Sequence, residues 1–235
     1  MTDTVTKACE DLRGGKIVLV YDAEGREEET DMVVASEFVN LDIVRLLRKD
    51  GGGLVCVTIP PSARRCLGIP YMVDVLQHSR DIFPILEGLR PNDIPYDAKS
   101  SFSLTINHRK TFTGITDKDR ALTISEFAKI IRLSADTCDG IAAEAFAKNF
   151  RSPGHVHLLN ASDRLLHDRQ GHTELATALV SLAGLTPTAT ICEMMGDDGK
   201  ALSKAKARKY AADNGLTYLE GKEIIRFWKT KAETG

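Results

Sequence analysis

Two short apolar runs, Lys16-Ile-Val-Leu-Val-Tyr21 and Met32-Val-Val-Ala35, are separated by a connection that is almost entirely charged, Asp22-Ala-Glu-Gly-Arg-Glu-Glu-Glu-Thr-Asp31. Short β-branched and aliphatic runs read as buried strands. So few residues between them leave little freedom, and the chain must carry its acids at the edge of a core. Acids alone fit a solvated loop. Arg26 among them points further, because a guanidinium fixes a carboxylate or meets a phosphate. Hard divalent cations such as magnesium take carboxylate oxygens and keep several waters.

The remaining patterns mix helix and strand without strict alternation. They predict an α+β fold, one domain over residues 1–235, with a mixed sheet and surrounding helices. Helices are expected over about 4–13, 41–49 (capped by Asn40), from Pro60-Pro61 to Leu67, and 140–148. Others are expected from the Thr123–Glu126 capping box to about Leu133, after Glu174, from Ser203 to about Ala212, and over 222–231. Further strands are expected at 54–58, 102–106, after His155 and at 188–194. Residues 75–100 read as irregular, with Pro84, Pro91 and Pro95 as breakers. Gly51-Gly-Gly53 follows a helix and precedes a strand, the reverse of a phosphate-loop order, and reads as a turn.

Composition excludes several classes. The chain has 235 residues and a formal net charge of −2, which gives no case for nucleic-acid or membrane attraction. No apolar run is long enough to span a bilayer, and Met1–Lys7 lacks a signal-peptide core. The five cysteines are odd in number and form no Cys-x-x-Cys pair, as expected of free thiols in a reducing cytoplasm.

Arg169-Gln-Gly-His-Thr-Glu174 precedes an apolar helical series at Leu175, Leu179 and Leu182. Unpaired backbone N–H groups and the dipole at such a start favour an anion. Gly171 permits close approach, Thr173 supplies a hydroxyl and Arg169 a fork-shaped cation, so the segment with Gln170 forms a phosphate site. His172 is placed to bind metal or move a proton. His155, after Ser-Pro-Gly, is a general acid or base, or a structural turn residue. Glu193 interrupts an apolar strand, so it faces water or serves a site. Glu174 is expected to help begin its helix. Cys66 beside Arg65 is expected to lean towards thiolate.

Together these segments resemble the 3,4-dihydroxy-2-butanone 4-phosphate synthase family of riboflavin biosynthesis. The resemblance runs over about residues 8–225 and rests on Arg26–Asp31, Thr113-Gly-Ile115 with Asp119-Arg120, Arg151–His155, Arg169–Glu174 and Ile191-Cys-Glu193. Asn92-Asp-Ile-Pro-Tyr96 and the run at 192–199 are similar to the archaeal, monofunctional branch. At this length no fused cyclohydrolase domain is expected.

The resemblance implies conversion of ribulose 5-phosphate to 3,4-dihydroxy-2-butanone 4-phosphate and formate with a divalent metal, magnesium or manganese. It implies Glu27 and His172 as metal ligands. It implies Arg26, Glu27, Asp31, Thr113, Glu193 and the 169–173 segment as substrate contacts. His155 and Glu193 match catalytic positions, and a homodimer with sites near the subunit interface is implied. Thr30 stands where many members have glycine, and Glu28 where many have asparagine.

The chemistry agrees with that implication. Proton removal beside the carbonyl of an α-hydroxyketone gives an enediolate, whose charge a divalent cation offsets. Asp31 and Glu29 are the candidate bases for this first step. If 26–31 continues the extended strand, Glu27, Glu29 and Asp31 share one face and Glu28 points away. Two other functions use the same residues: a metal-dependent sugar-phosphate isomerase, and a non-catalytic sugar-phosphate-binding protein.

Overall fold

The computed structural model describes residues 4–234. It consists of one seven-stranded mixed sheet with helices on both faces. The strands are β1 (Val18–Tyr21), β2 (Thr30–Ala35), β3 (Cys56–Ile59), β4 (Phe102–His108), β5 (Phe150–Asn160), β6 (Ala189–Glu193) and β7 (Tyr218–Glu220), in the order β4-β5-β3-β6-β2-β1-β7. The β1–β7 and β3–β5 pairs are parallel, and the others are antiparallel.

Every residue of β1 and β2 is buried. Strands covered on both faces read as continuous apolar runs, and this is why the pair is visible in the sequence. Leu19, Met32 and Val34 join one core with Ile124, Phe127 and Ile131 of a long helix. Val18, Val20, Val33 and Ala35 join the other, with Leu175 and Leu179. The alternation is the period-2 pleat applied to a sheet with two cores.

The helices are α1 (Thr4–Arg13), α2 (Leu41–Leu46), α3 (Pro61–Leu67), α4 (Met72–His78), α5 (Ile85–Gly88), α6 (Asp117–Asp136), α7 (Ile141–Asn149), α8 (His172–Leu182), α9 (Lys204–Asn214) and α10 (Gly221–Thr234). α8 lies on the second face, against α1 and α10.

Several expectations need correction. α6 begins six residues before the Thr123–Glu126 box. Thr116 caps it by accepting the Asp119 N–H at 3.1 Å, and Thr123 lies inside the helix, donating to the Asp119 carbonyl. The earlier cap wins because acids at 117 and 119 fill the first turn. The stretch at 75–100 is partly helical, through α4 and α5. α2 gives way to a wider turn at Leu47–Gly51. Ser203 stands at the start of α9 without a side-chain cap bond.

The acidic loop is not extended. Glu28 has φ 58°, in the left-handed region, so the alternation expected across 26–31 fails there. Asp22 sets this shape. Its carboxylate accepts the Glu27 N–H at 3.0 Å and the Glu29 N–H at 3.2 Å, folding the loop around one buried acid.

Candidate active site

The C-terminal end of β6, the start of β2, the acidic loop and the N-terminus of α8 meet at a cavity of about 240 Å³. Glu27, Asp31, Arg169, His172, Thr173 and Glu193 line it, joined by Tyr96, Asp97, Lys99 and Cys56. Register explains the meeting. Asp31 and Glu193 are direct cross-strand partners and point to the α8 side with Val33 and Ile191.

His172 is the first residue of α8 and is 5% exposed. Its Nε2 lies 3.2 Å from the Glu29 carbonyl oxygen and 3.6 Å from Asp31 Oδ1, and its Nδ1 lies 3.7 Å from Glu27 Oε2. Burial alone would lower its pKa, but Asp31, Glu27 and Asp22 outweigh burial and carry it up to about 10. Burial pushes the Asp31 carboxyl well above the usual range, against the pull of His172, with Glu193, Glu27 and Glu29 adding to the rise. Burial likewise raises Glu29, with Glu193 and Glu27 adding. Glu27 is lowered, chiefly by the neighbouring His172 imidazole, against the opposing effect of burial. Adjacent carboxylates are thus tuned in opposite directions.

Both Asp31 oxygens and His172 Nδ1 are buried without a hydrogen-bond partner. Buried orphans of this kind are costly unless a bound group satisfies them. Among the described residues, no three His, Cys, Asp or Glu side chains converge as a complete metal cage. The donor set of Glu27 oxygen and His172 nitrogen suits a divalent cation held by few protein ligands and completed by water and substrate.

Arg169 forms the opposite wall. Its Nη1 donates to Glu174 Oε2 at 2.7 Å, its Nε to Asp97, and its Nη2 lies 3.8 Å from Glu27 Oε1. A Cβ at Gly171 would collide with this guanidinium, so the glycine makes room for the arginine. Glu174 is fully buried and also accepts the Ser162 N–H at 2.9 Å. It orients Arg169 rather than merely starting the helix. Arg26 reaches Asp97 at 3.4 Å.

Glu193 is held from below. Leu54 N–H donates to its Oε2 at 2.7 Å, and a Cβ on Gly53 would lie 2.8 Å from its backbone oxygen. The glycine turn after α2 is therefore part of the site's support.

Of the expected residues, Arg26, Glu29 and Gly171 do not line the cavity but adjoin residues that do, and Gln170, Thr113 and His155 stand apart. Gln170 is exposed, with its amide 3.4 Å from the Leu166 carbonyl. Thr113 and His155 lie beside the β4–β5 edge and do not line the cavity. Cys66 does not lean towards thiolate; its hydrogen bond with Cys138, and then burial, push it up to about 11. Sequence reasoning missed Asp22, Asp97 and the orienting role of Glu174.

Carboxyl groups raised at Asp31 and Glu29 and lowered at Glu27, beside the His172 imidazole and with an arginine on the opposite wall, define an acid–base enzyme for a small anionic substrate. A family model described as 3,4-dihydroxy-2-butanone 4-phosphate synthase matches residues 6–227. The chain is 50% identical to the 3,4-dihydroxy-2-butanone 4-phosphate synthase of Methanothermobacter thermautotrophicus over 94% of each chain. It resembles the crystal structure of the Candida albicans synthase with a TM-score of 0.71 and 27% identity, covering 95% of this chain and 96% of that one. A synthase structure in complex with two magnesium ions has the same fold, with a TM-score of 0.73 and 24% identity over 96% of each chain. The chain belongs to the 3,4-dihydroxy-2-butanone 4-phosphate synthase family, which converts ribulose 5-phosphate to 3,4-dihydroxy-2-butanone 4-phosphate in riboflavin biosynthesis.

Among the described residues, no helix is long and apolar enough to cross a membrane.

Proposed function

We propose that residues 1–235 act as one catalytic domain that converts ribulose 5-phosphate to 3,4-dihydroxy-2-butanone 4-phosphate and formate, with a divalent cation held by Glu27 and His172. The observation that carries this reading is the buried, unpartnered Asp31 carboxylate beside His172. A synthase of the same fold binds magnesium, which supports magnesium here, with manganese as the alternative.

Arg169, Thr173 and the free N–H groups at the start of α8 receive the substrate phosphate. Asp97 now occupies part of the Arg169 fork, so it must yield or share when the phosphate arrives. Arg26, which also reaches Asp97, would contact the substrate beside it. Asp31 or Glu29 takes the proton beside the carbonyl. Burial raises both carboxyl groups, which brings them closer to the working pH of a general base. When bound, the cation supplies positive charge that offsets the charge of the enediolate. Glu193, pinned by Leu54 N–H, serves a later proton transfer. Loss of water, a skeletal shift and return of water release carbon 4 as formate.

His155 and Thr113 enter through a second copy of the chain. They stand outside the cavity beside Phe112, which is 94% exposed, and Ile115, which is 51% exposed. Ile82, Phe83, Ile85 and Leu89 are also exposed on the 80–90 segment. Apolar area of this extent supports a homodimer. The free thiols are compatible with a cytoplasmic enzyme, and the charge with neither nucleic acid nor membrane as partner.

The test supplies ribulose 5-phosphate to the chelated protein with and without added magnesium. Formate and the four-carbon product should appear only with metal. An aldose product without formate would establish an isomerase instead, and metal-dependent turnover of any kind would exclude a silent binding protein.

A further inference from the structure

β4 and β5 do not pair residue for residue. Ile106 faces Val156, but the next residue, Asn107, faces Arg151. Residues 152–155 are therefore looped out of β5, and such a bulge re-aims the side chain it carries. Here it carries His155, which is exposed. Two side chains of β4 pin the loop. Thr105 Oγ1 accepts the Gly154 N–H at 3.1 Å, and Asn107 Oδ1 accepts the His155 N–H at 2.9 Å.

The second bond decides which way round the Asn107 amide lies. A backbone N–H only donates, so the amide atom facing it is the oxygen. The amide nitrogen then lies 3.1 Å from His155 Nδ1 and 3.5 Å from the Thr113 carbonyl oxygen. That nitrogen also only donates, so His155 Nδ1 is the acceptor and the neutral ring carries its hydrogen on Nε2. Asn107 is 4% exposed, which keeps water from competing for these bonds.

We propose that Asn107 is a positioning residue that holds neutral His155 in its Nε2–H tautomer and ties it to the Thr113 turn. The catalytic consequence rests on the reading of His155 as a proton-transfer residue; the tautomer itself does not. With Nδ1 engaged, the Nε2–H is the only ring N–H the neutral imidazole can offer. A free imidazole divides its hydrogen between both nitrogens and would present the working form only part of the time.

The test reads the side-chain ¹⁵N resonances of the full-length protein at about pH 9, above the ordinary imidazole range. His155→Gln identifies the signal among the six histidines. The wild type should show Nδ1 unprotonated and Nε2 protonated. In Asn107→Asp the side chain keeps its size but has no donor, so Nδ1 must take the hydrogen and the pattern should reverse. Turnover should then fall at least about tenfold with little change in KM, as expected when a proton-transfer group is mis-set. A wild-type ring protonated at Nδ1, or a pattern unmoved in Asn107→Asp, overturns the proposal whatever the activity. Reversal with full turnover supports the positioning and overturns the catalytic role given to His155.

Discussion

Asp31 and Glu193 face each other directly across two antiparallel strands, and both point into the cavity. Like charges in register weaken a sheet, so the pair is held against its own repulsion. Glu193→Gln relieves that repulsion and keeps an oxygen for Leu54 N–H. Its melting temperature should stay level or rise by a few degrees, since about 1 kcal/mol is worth roughly 2–4 °C at this size. Turnover should fall at least about 100-fold. Calorimetry and steady-state kinetics on one preparation check this. A lower melting temperature with full turnover would show that Glu193 supports the fold instead.

Gly53 acts through the same carboxylate. A methyl group there overlaps the Glu193 side chain and approaches its backbone oxygen at 2.8 Å. Gly53→Ala should cost about 1–3 kcal/mol of stability, the usual range for overpacking. It should also lower turnover far more than Gly52→Ala, which strains a backbone at φ 89° but whose Cβ meets only Met195, at 3.6 Å, and leaves Glu193 untouched. Denaturant titration beside an activity assay separates the two effects. Equal turnover in both variants would detach the turn from catalysis.

The acidic loop divides its labour in a way set by Asp22. Glu28 turns away, and its carboxylate accepts the Gly25 N–H at 2.9 Å. Glu27 faces His172, and Glu29 is coupled to Glu193. Glu27→Gln should therefore abolish activity and weaken manganese binding, measured by titration. Glu29→Gln should impair turnover strongly, and Glu28→Gln should leave both nearly intact. A folded Glu28→Gln protein as inactive as Glu27→Gln would contradict this assignment.

Asp119 gives a pH dependence. The Gly114 N–H, at 2.8 Å, holds its carboxyl below the ordinary range against the opposing effect of burial, and Thr113 and Thr116 add to the lowering. A group with a lowered folded-state pKa stabilises above its unfolded value, near 3.9, and loses that contribution as pH falls through the folded value. Asp119→Asn should flatten the acid limb of the stability curve below about pH 4, with the neutral limb lower throughout. Melting temperatures from pH 2 to 7 check this. An unchanged acid limb would remove Asp119 from the account.

The parts of the site that were readable in advance are local ones. The strand–acid–strand unit shows itself through continuous apolar runs, and the start of α8 through glycine, threonine and a following apolar period. What stayed hidden depends on distance along the chain. Arg169 meets Asp97 across 72 residues, and Leu54 holds Glu193 across 139. No local pattern announces such pairs. The extended reading of 26–31 failed for a related reason. Asp22 gathers two backbone N–H groups, and that side-chain bond overrides strand geometry at Glu28. α6 is capped by Thr116 rather than Thr123 because, of two cap signals close together, the earlier is followed by acids at 117 and 119.

The most direct test of the whole account follows one carbon atom. Ribulose 5-phosphate labelled with ¹³C at carbon 4 is incubated with the magnesium-loaded protein, and the products are read by ¹³C NMR. All of the label should appear in formate, with none in 3,4-dihydroxy-2-butanone 4-phosphate. Label retained in a four- or five-carbon phosphate would contradict the proposed skeletal shift and, with it, the roles given to Asp31, Glu29 and Glu193.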